Sequence, residues 1–152
     1  MTLALRTLLA LAVLVAPQAL RSRAHAGERE QTSAVAVVVG QRSPVTHLSP
    51  EEIVQVFTAR RQFWLGSVRT TVILQQPDSP ASQAFCERVL RMSCEGLEKL
   101  LLQKRYRGVL TARLIFANTS AEVQELLAST PSAIGYIWRN EAGADVRVLS
   151  AF

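Results

Sequence analysis

Histidine is almost absent from this chain: of 152 residues, only His25 and His47 are histidines. No histidine pair, Cys/His cluster or HExxH segment exists, so a catalytic or structural zinc centre lacks ligands. No serine has the GxSxG setting of a nucleophile elbow. The seven glycines are scattered, and none builds a Gly-rich phosphate loop. Cysteine is limited to Cys86 and Cys94. A thiol enzyme using Cys94 near a helix start has no placed histidine to serve as its base. These absences point to a protein that is not an enzyme and needs no cofactor. Internal repeats, low-complexity stretches and any mark of a second domain are missing as well.

What is present begins with a leader. Arg6 supplies a basic start, residues 7–16 are apolar, and Ala24-His25-Ala26 is a small-x-small cleavage signal before Gly27. The apolar run is shorter than the roughly 20 residues of a membrane-spanning helix. Residues 1–26 therefore read as a signal peptide, and the protein as periplasmic or secreted. Arg6, Arg21 and Arg23 fall in the leader, and no acid does. Of 17 Lys+Arg, 14 remain against 12 Asp+Glu, a net charge of +2. A balance so near neutral gives no reason to invoke nucleic acid or an anionic membrane. Residues 27–33 are polar and read as a tail, which leaves residues 34–152 as one α/β domain.

Along that domain, strand and helix signals alternate, which argues for a layered α/β structure. Residues 34–39 (AVAVVV) form a β-branched run of the kind buried on both faces in a parallel sheet. Ser49-Pro50-Glu51-Glu52 is a capping box with proline in the first turn, followed by inward Ile53, Val54 and Phe57. Residues 58–67 read as a turn with an aromatic plug, Phe63-Trp64. Arg60-Arg61 beside these aromatics is read as solvated. A second strand covers about 70–75, and a helix about 80–91 with Ala81, Phe85 and Val89 in one stripe. Another helix starts at Ser93 and carries Leu97, Leu100, Leu101 and Lys104. A third strand covers 112–117. Thr119-Ser120-Ala121-Glu122 opens a further helix as a second capping box, with Val123, Leu126 and Leu127 inward. Strands at 133–138 and 146–149 follow, read as a hairpin at the sheet edge.

The cysteines leave two readings open. On one continuous helix, eight residues separate them by about 12 Å, too far for a bridge. Pairing requires a break near Met92-Ser93; two buried thiols is the alternative.

The turn after the second strand is the one candidate site. A strand that delivers the chain to a helix N-terminus leaves free N–H groups that can hold an anion. Ser79 and Ser82 bracket this helix start, although the simpler reading makes Ser79 an N-cap and Pro80 a first-turn proline.

The order of the pieces resembles a known family. A β-branched strand leads to Ser43-Pro44-Val45. Leu48-Ser49-Pro50-Glu51-Glu52-Ile53-Val54-Gln55-Val56-Phe57 follows, then Arg60 and Trp64. Next come an apolar strand, a turn and a helix with Phe85. Near the end stands Thr130-Pro131-Ser132-Ala133-Ile134-Gly135-Tyr136-Ile137. This looks like the phosphate-type periplasmic substrate-binding proteins of ABC transporters, over residues 35–137. The resemblance implies one lobe of a type II periplasmic-binding-protein fold: a three-layer structure with a mostly parallel sheet flanked by helices. At the anion turn, Gln75 stands where the family has arginine, so the strongest phosphate ligand is missing. Pro77 replaces an acid, Ser79 matches the family serine, and Pro80-Ala81 replace Gly-Thr, which removes an N–H and a hydroxyl. The implied ligand set is Ser79, Ser82, the N–H of Ala81 and, as a neutral donor, Gln75.

Two functions follow from the resemblance. One is an exported substrate-binding-protein-like domain that holds phosphate or another small anion weakly and serves an ABC transporter membrane component. The other is a protein–protein interaction module of the same fold, its ligand site lost, facing a protein partner or a homodimer mate.

Overall fold

The computed structural model describes residues 34–152. The leader (1–26) and the polar tail (27–33) lie outside the described residues. The chain runs β1 (Val35–Gly40), α1 (Pro50–Phe57), β2 (Phe63–Trp64), β3 (Val68–Arg69), β4 (Thr71–Gln75) and α2 (Pro80–Phe85). A single π-helical turn (Cys86–Leu90), α3 (Cys94–Tyr106), β5 (Arg113–Ala117), α4 (Ser120–Ser129), β6 (Ala133–Trp138), a 3-10 turn (Arg139–Glu141) and β7 (Val146–Ala151) complete it.

Five strands form one sheet in the order β5-β4-β6-β1-β7, with β2 and β3 as a separate small hairpin. The β4–β5 and β4–β6 pairs are parallel, whereas β1 is antiparallel to both β6 and β7. Four strands therefore point one way and β1 the other. Two expectations change. The β-branched run is central and buried throughout, but both its neighbours run opposite to it. Burial on two faces favours the same residues in either direction, so composition could not set the polarity. Nor do the last two strands form a hairpin: β1 lies between them, joined to Phe152 by reciprocal backbone bonds at 2.9 Å. A Glu141–Gly143 turn signal marks a reversal, and the chain instead crosses over β1 before returning.

Helices cover both faces. On one side β1, β4 and β6 pack against α1, α2 and α3 through Val37, Phe57, Leu74, Phe85, Leu97 and Tyr136. On the other, α4 covers the sheet with Val123 and Leu127 against Val38, Ile73 and Ile137. Gly135 sits where α4 comes close, since a Cβ there would meet Val123 Cγ1 at 3.0 Å.

The helix starts follow their capping chemistry. Ser49 Oγ accepts from Glu52 N and Glu52 Oε2 accepts from Ser49 N, the complete box. These bonds, the backbone one first and then the Arg61 guanidinium, hold the Glu52 carboxyl below its usual range. At α4 the box is half-formed: Thr119 Oγ1 accepts from Glu122 N, but Glu122 Oε2 accepts from the N–H of Asn118 rather than of Thr119. The hairpin plug also forms. Trp64 is buried and donates to Ser132 O at 2.9 Å, while Phe63 is exposed. Arg61 bridges Glu52 at 2.6 Å and lies 5.6 Å from the Trp64 ring centre.

Candidate functional site

The helix start after β4 is built from short-range preferences. Val72-Ile73-Leu74 runs into the sheet, Gln76–Ser79 turns, and Ser79 caps α2 by accepting from Ser82 N at 3.1 Å. Pro80 takes the first helical position, where its missing N–H costs nothing. The four residues expected to face an anion sit together here, but three of them are buried. Gln75, Ala81 and Ser82 are buried, and Ser79 is half-buried.

Their polar atoms meet one another. Ser79 Oγ donates to Ser82 Oγ at 3.0 Å, and Ser82 Oγ hydrogen-bonds with the Tyr136 hydroxyl at 2.8 Å. The same hydroxyl accepts from Gln75 N at 3.1 Å, and Gln75 Nε2 donates to Tyr136 O at 3.0 Å. The cavity beside Gln75, Ser82 and Tyr136 is about 20 Å³, room for roughly one water. An anion at this place must displace hydrogen bonds that the protein already makes to itself.

Tyr136 belongs to the strand motif that carries the family resemblance and is not among the residues expected at the anion turn. Its signal was its position: a tyrosine in an otherwise apolar buried strand needs a partner for its hydroxyl. Its ring stacks on Phe85, centroids 4.0 Å apart and planes within 4°. Burial is the main cause that pushes its pKa above 10.0, partly offset by the Ser82 and Gln75 hydrogen bonds. The folded state thus holds this proton more firmly than the unfolded chain does. The associated stability is whole below about pH 10 and declines as pH rises above it toward the folded pKa. Tyr136→Phe is expected to lose about 1–3 kcal/mol at neutral pH, since it leaves Ser82 Oγ and Gln75 N short of a partner. It should also flatten the alkaline decline in urea melts run from about pH 7 to about pH 11. An alkaline slope as steep in the variant as in the parent would assign it to another group.

The cysteines resolve the question the sequence left open. Arg91 takes a left-handed conformation (φ 56°), Ser93 caps α3, and the chain folds back. Cys86 and Cys94 form a disulfide with Cα atoms 5.5 Å apart. Cys94 therefore offers no free thiol, which removes the thiol-nucleophile reading. The bridge closes a short loop, and the chain-entropy account puts its contribution at about 2–3 kcal/mol. Cys86→Ser/Cys94→Ser should lower the unfolding free energy from urea melts by that amount, and a reducing agent should do so in the parent but not in the variant.

His47 is exposed in its loop. No group of three or more potential metal ligands occurs among the described residues. None of the described helices is long and apolar enough to cross a membrane.

The same arrangement of strands and helices occurs in solved structures. An ABC-type phosphate transport receptor from Vibrio cholerae superposes with a TM-score of 0.57 at 17% identity, over 76% of this chain and 45% of the receptor. A substrate-binding protein of the phosphate ABC transporter type from Clostridium perfringens, solved with phosphate bound, gives 0.60 at 18% identity, over 81% and 50%. PstS from Borrelia burgdorferi gives 0.55 at 18% identity, over 82% and 52%. This chain has the phosphate-receptor fold. It spans about half the length of the receptors it matches. No family model and no curated protein matches it. In this chain the strand-to-helix turn at β4–α2 carries Gln75 at the strand end and Pro80-Ala81 at the helix start.

Proposed function

We propose that this chain is an exported, non-enzymatic substrate-binding-protein-like domain of the phosphate-receptor fold that works through a protein partner rather than by capturing free phosphate tightly. The observation that carries this reading is the closed chain of hydrogen bonds from Ser79 through Ser82 and Tyr136 to Gln75. Each donor expected to meet an anion, apart from the Ala81 N–H, is committed inside the domain, and no arginine stands among them. A partner of this kind is an ABC transporter membrane component or a second copy of the chain. The Cys86–Cys94 disulfide supports export, because such bonds persist in oxidising compartments such as the periplasm.

A second reading is favoured by the position of Ser79 at a helix start, with the N–H groups of Ala81 and Ser82 behind it. In that reading phosphate or another small anion binds weakly through Ser79, Ser82 and Ala81, with Gln75 as a neutral donor, after the hydroxyl chain opens.

Calorimetry of the purified protein with phosphate, sulfate and organic phosphates separates the two. The first reading expects no saturable heat from any of them. A saturable isotherm that Ser79→Ala and Ser82→Ala both weaken would replace it with the second.

A further inference from the structure

The sheet ends at β5, which pairs with β4 on one side only. Its outer edge carries no lysine or proline, and its one charged residue, the exposed Arg113, stands at the very start of the strand. Phe116 on this strand is 45% exposed. It shares a strand face with Leu114, and together with Leu102 of α3, itself 60% exposed, they line a groove of about 460 Å³ between α3 and β5. Glu98 and Arg105 line the same groove, one toward each end of α3. Neither has an ion-pair partner among the described residues.

We propose that a second copy of this chain occupies the edge, joining β5 to its own counterpart in an antiparallel pair and laying α3 alongside the second α3. The pattern on α3 is what selects a second copy. Glu95 and Glu98 lie toward one end and Arg105 toward the other, with Lys99, Leu101 and Leu102 between, so the Glu98–Arg105 spacing is complementary to its own reverse. A two-fold axis near Leu101 and Leu102 brings Glu98 of each copy to Arg105 of the other, twice over. The same axis serves the strands. Since β4 and β5 are parallel and α3 crosses back between them, α3 runs opposite to β5, and one rotation pairs both elements antiparallel. Centred on Ile115, the strand pairing sets Leu114 of each copy opposite Phe116 of the other, on the α3 side of the sheet. Interfaces related by a two-fold are self-complementary in this way. The inference rests on the fold and not on anion binding, so a phosphate isotherm in either direction leaves it standing.

Sedimentation equilibrium on the purified protein tests it. A reversible dimer is expected. Phe116→Lys should leave a monomer, because it plants a charge opposite an apolar residue on an unpaired edge. Glu98→Arg and Arg105→Glu, each alone, set like charges against each other twice and should weaken dimerisation about tenfold. An equal mixture of these two variants should dimerise again, since each supplies the charge the other has lost. All three sites are exposed, so unchanged circular dichroism is expected, and either charge variant can stand in if another folds poorly. A parent protein that stays monomeric throughout a concentration series overturns the proposal. So does a dimer that persists in Phe116→Lys, or a mixture that associates no better than its components.

Discussion

Phe85→Ala is expected to destabilise the protein by about 3–5 kcal/mol, the range for truncating a fully buried aromatic. Phe85 has no solvent exposure and is held by two other rings. It stacks on Tyr136 of β6 and meets Phe57 of α1 edge-on, with centroids 4.6 Å apart. Three elements that are distant in sequence therefore converge on one side chain. α2 is only six residues long and cannot hold itself by helix propensity; its place depends on this contact and on the disulfide that follows it. Truncation removes the packing surface behind Tyr136, so the Ser82 and Gln75 hydrogen bonds should loosen with the core. Urea denaturation of the variant, with Phe85→Leu as a volume-closer control, checks both parts. Phe85→Leu should retain most of the stability. A loss below about 1 kcal/mol in Phe85→Ala would mean that the cluster collapses around the missing ring.

Much of this architecture was legible because it is written locally. Ser49 and Glu52 specify their helix start completely, and Ser93 does so for α3, because capping involves residues three apart. The stripe Ala81, Phe85 and Val89 is buried although the helix changes to a π turn at Cys86, since one wide turn barely rotates the inward face. What could not be read was long-range pairing. The run Val35-Ala36-Val37-Val38-Val39 announces burial but not direction, and β7 reaches its place only by crossing a strand that begins about a hundred residues earlier. The candidate site divides in the same manner. Ser79 as a cap follows from its neighbours. The role of Tyr136 depends on β6 lying beside β4, a contact between positions 61 apart. The resemblance to phosphate-type binding proteins supplied the fold that local signals lacked, and the solved receptors carry that fold. It left open whether the anion turn faces outward, because Gln75 and Ser82 turn inward only in the company of Tyr136.

Gly40→Ala should cost about 3 kcal/mol or more, above the common range for overpacking, because the obstacle is backbone. Gly40 ends β1, opposite Val146 of β7. A Cβ on it would lie 2.2 Å from Leu127 O and 3.0 Å from Leu127 C. No rotamer change relieves that clash: either β1 or the last turn of α4 must move. Both are tightly held. β1 is paired on both sides, and α4 contributes Val123 and Leu127 to the second core. The chain leaving β1 adds a further tie, with Arg42 Nη2 donating to Ala128 O at 2.7 Å, a basic side chain on a carbonyl in the last turn of the helix. Gly143→Ala is the matched control. There the new Cβ meets only the end of the Gln124 side chain, Oε1 at 3.1 Å, which can swing away. Thermal melts should show a large drop for Gly40→Ala and a small one for Gly143→Ala. Equal small drops would mean that α4 can slide on the sheet, and the close approach of helix and strand would then be a preference rather than a constraint.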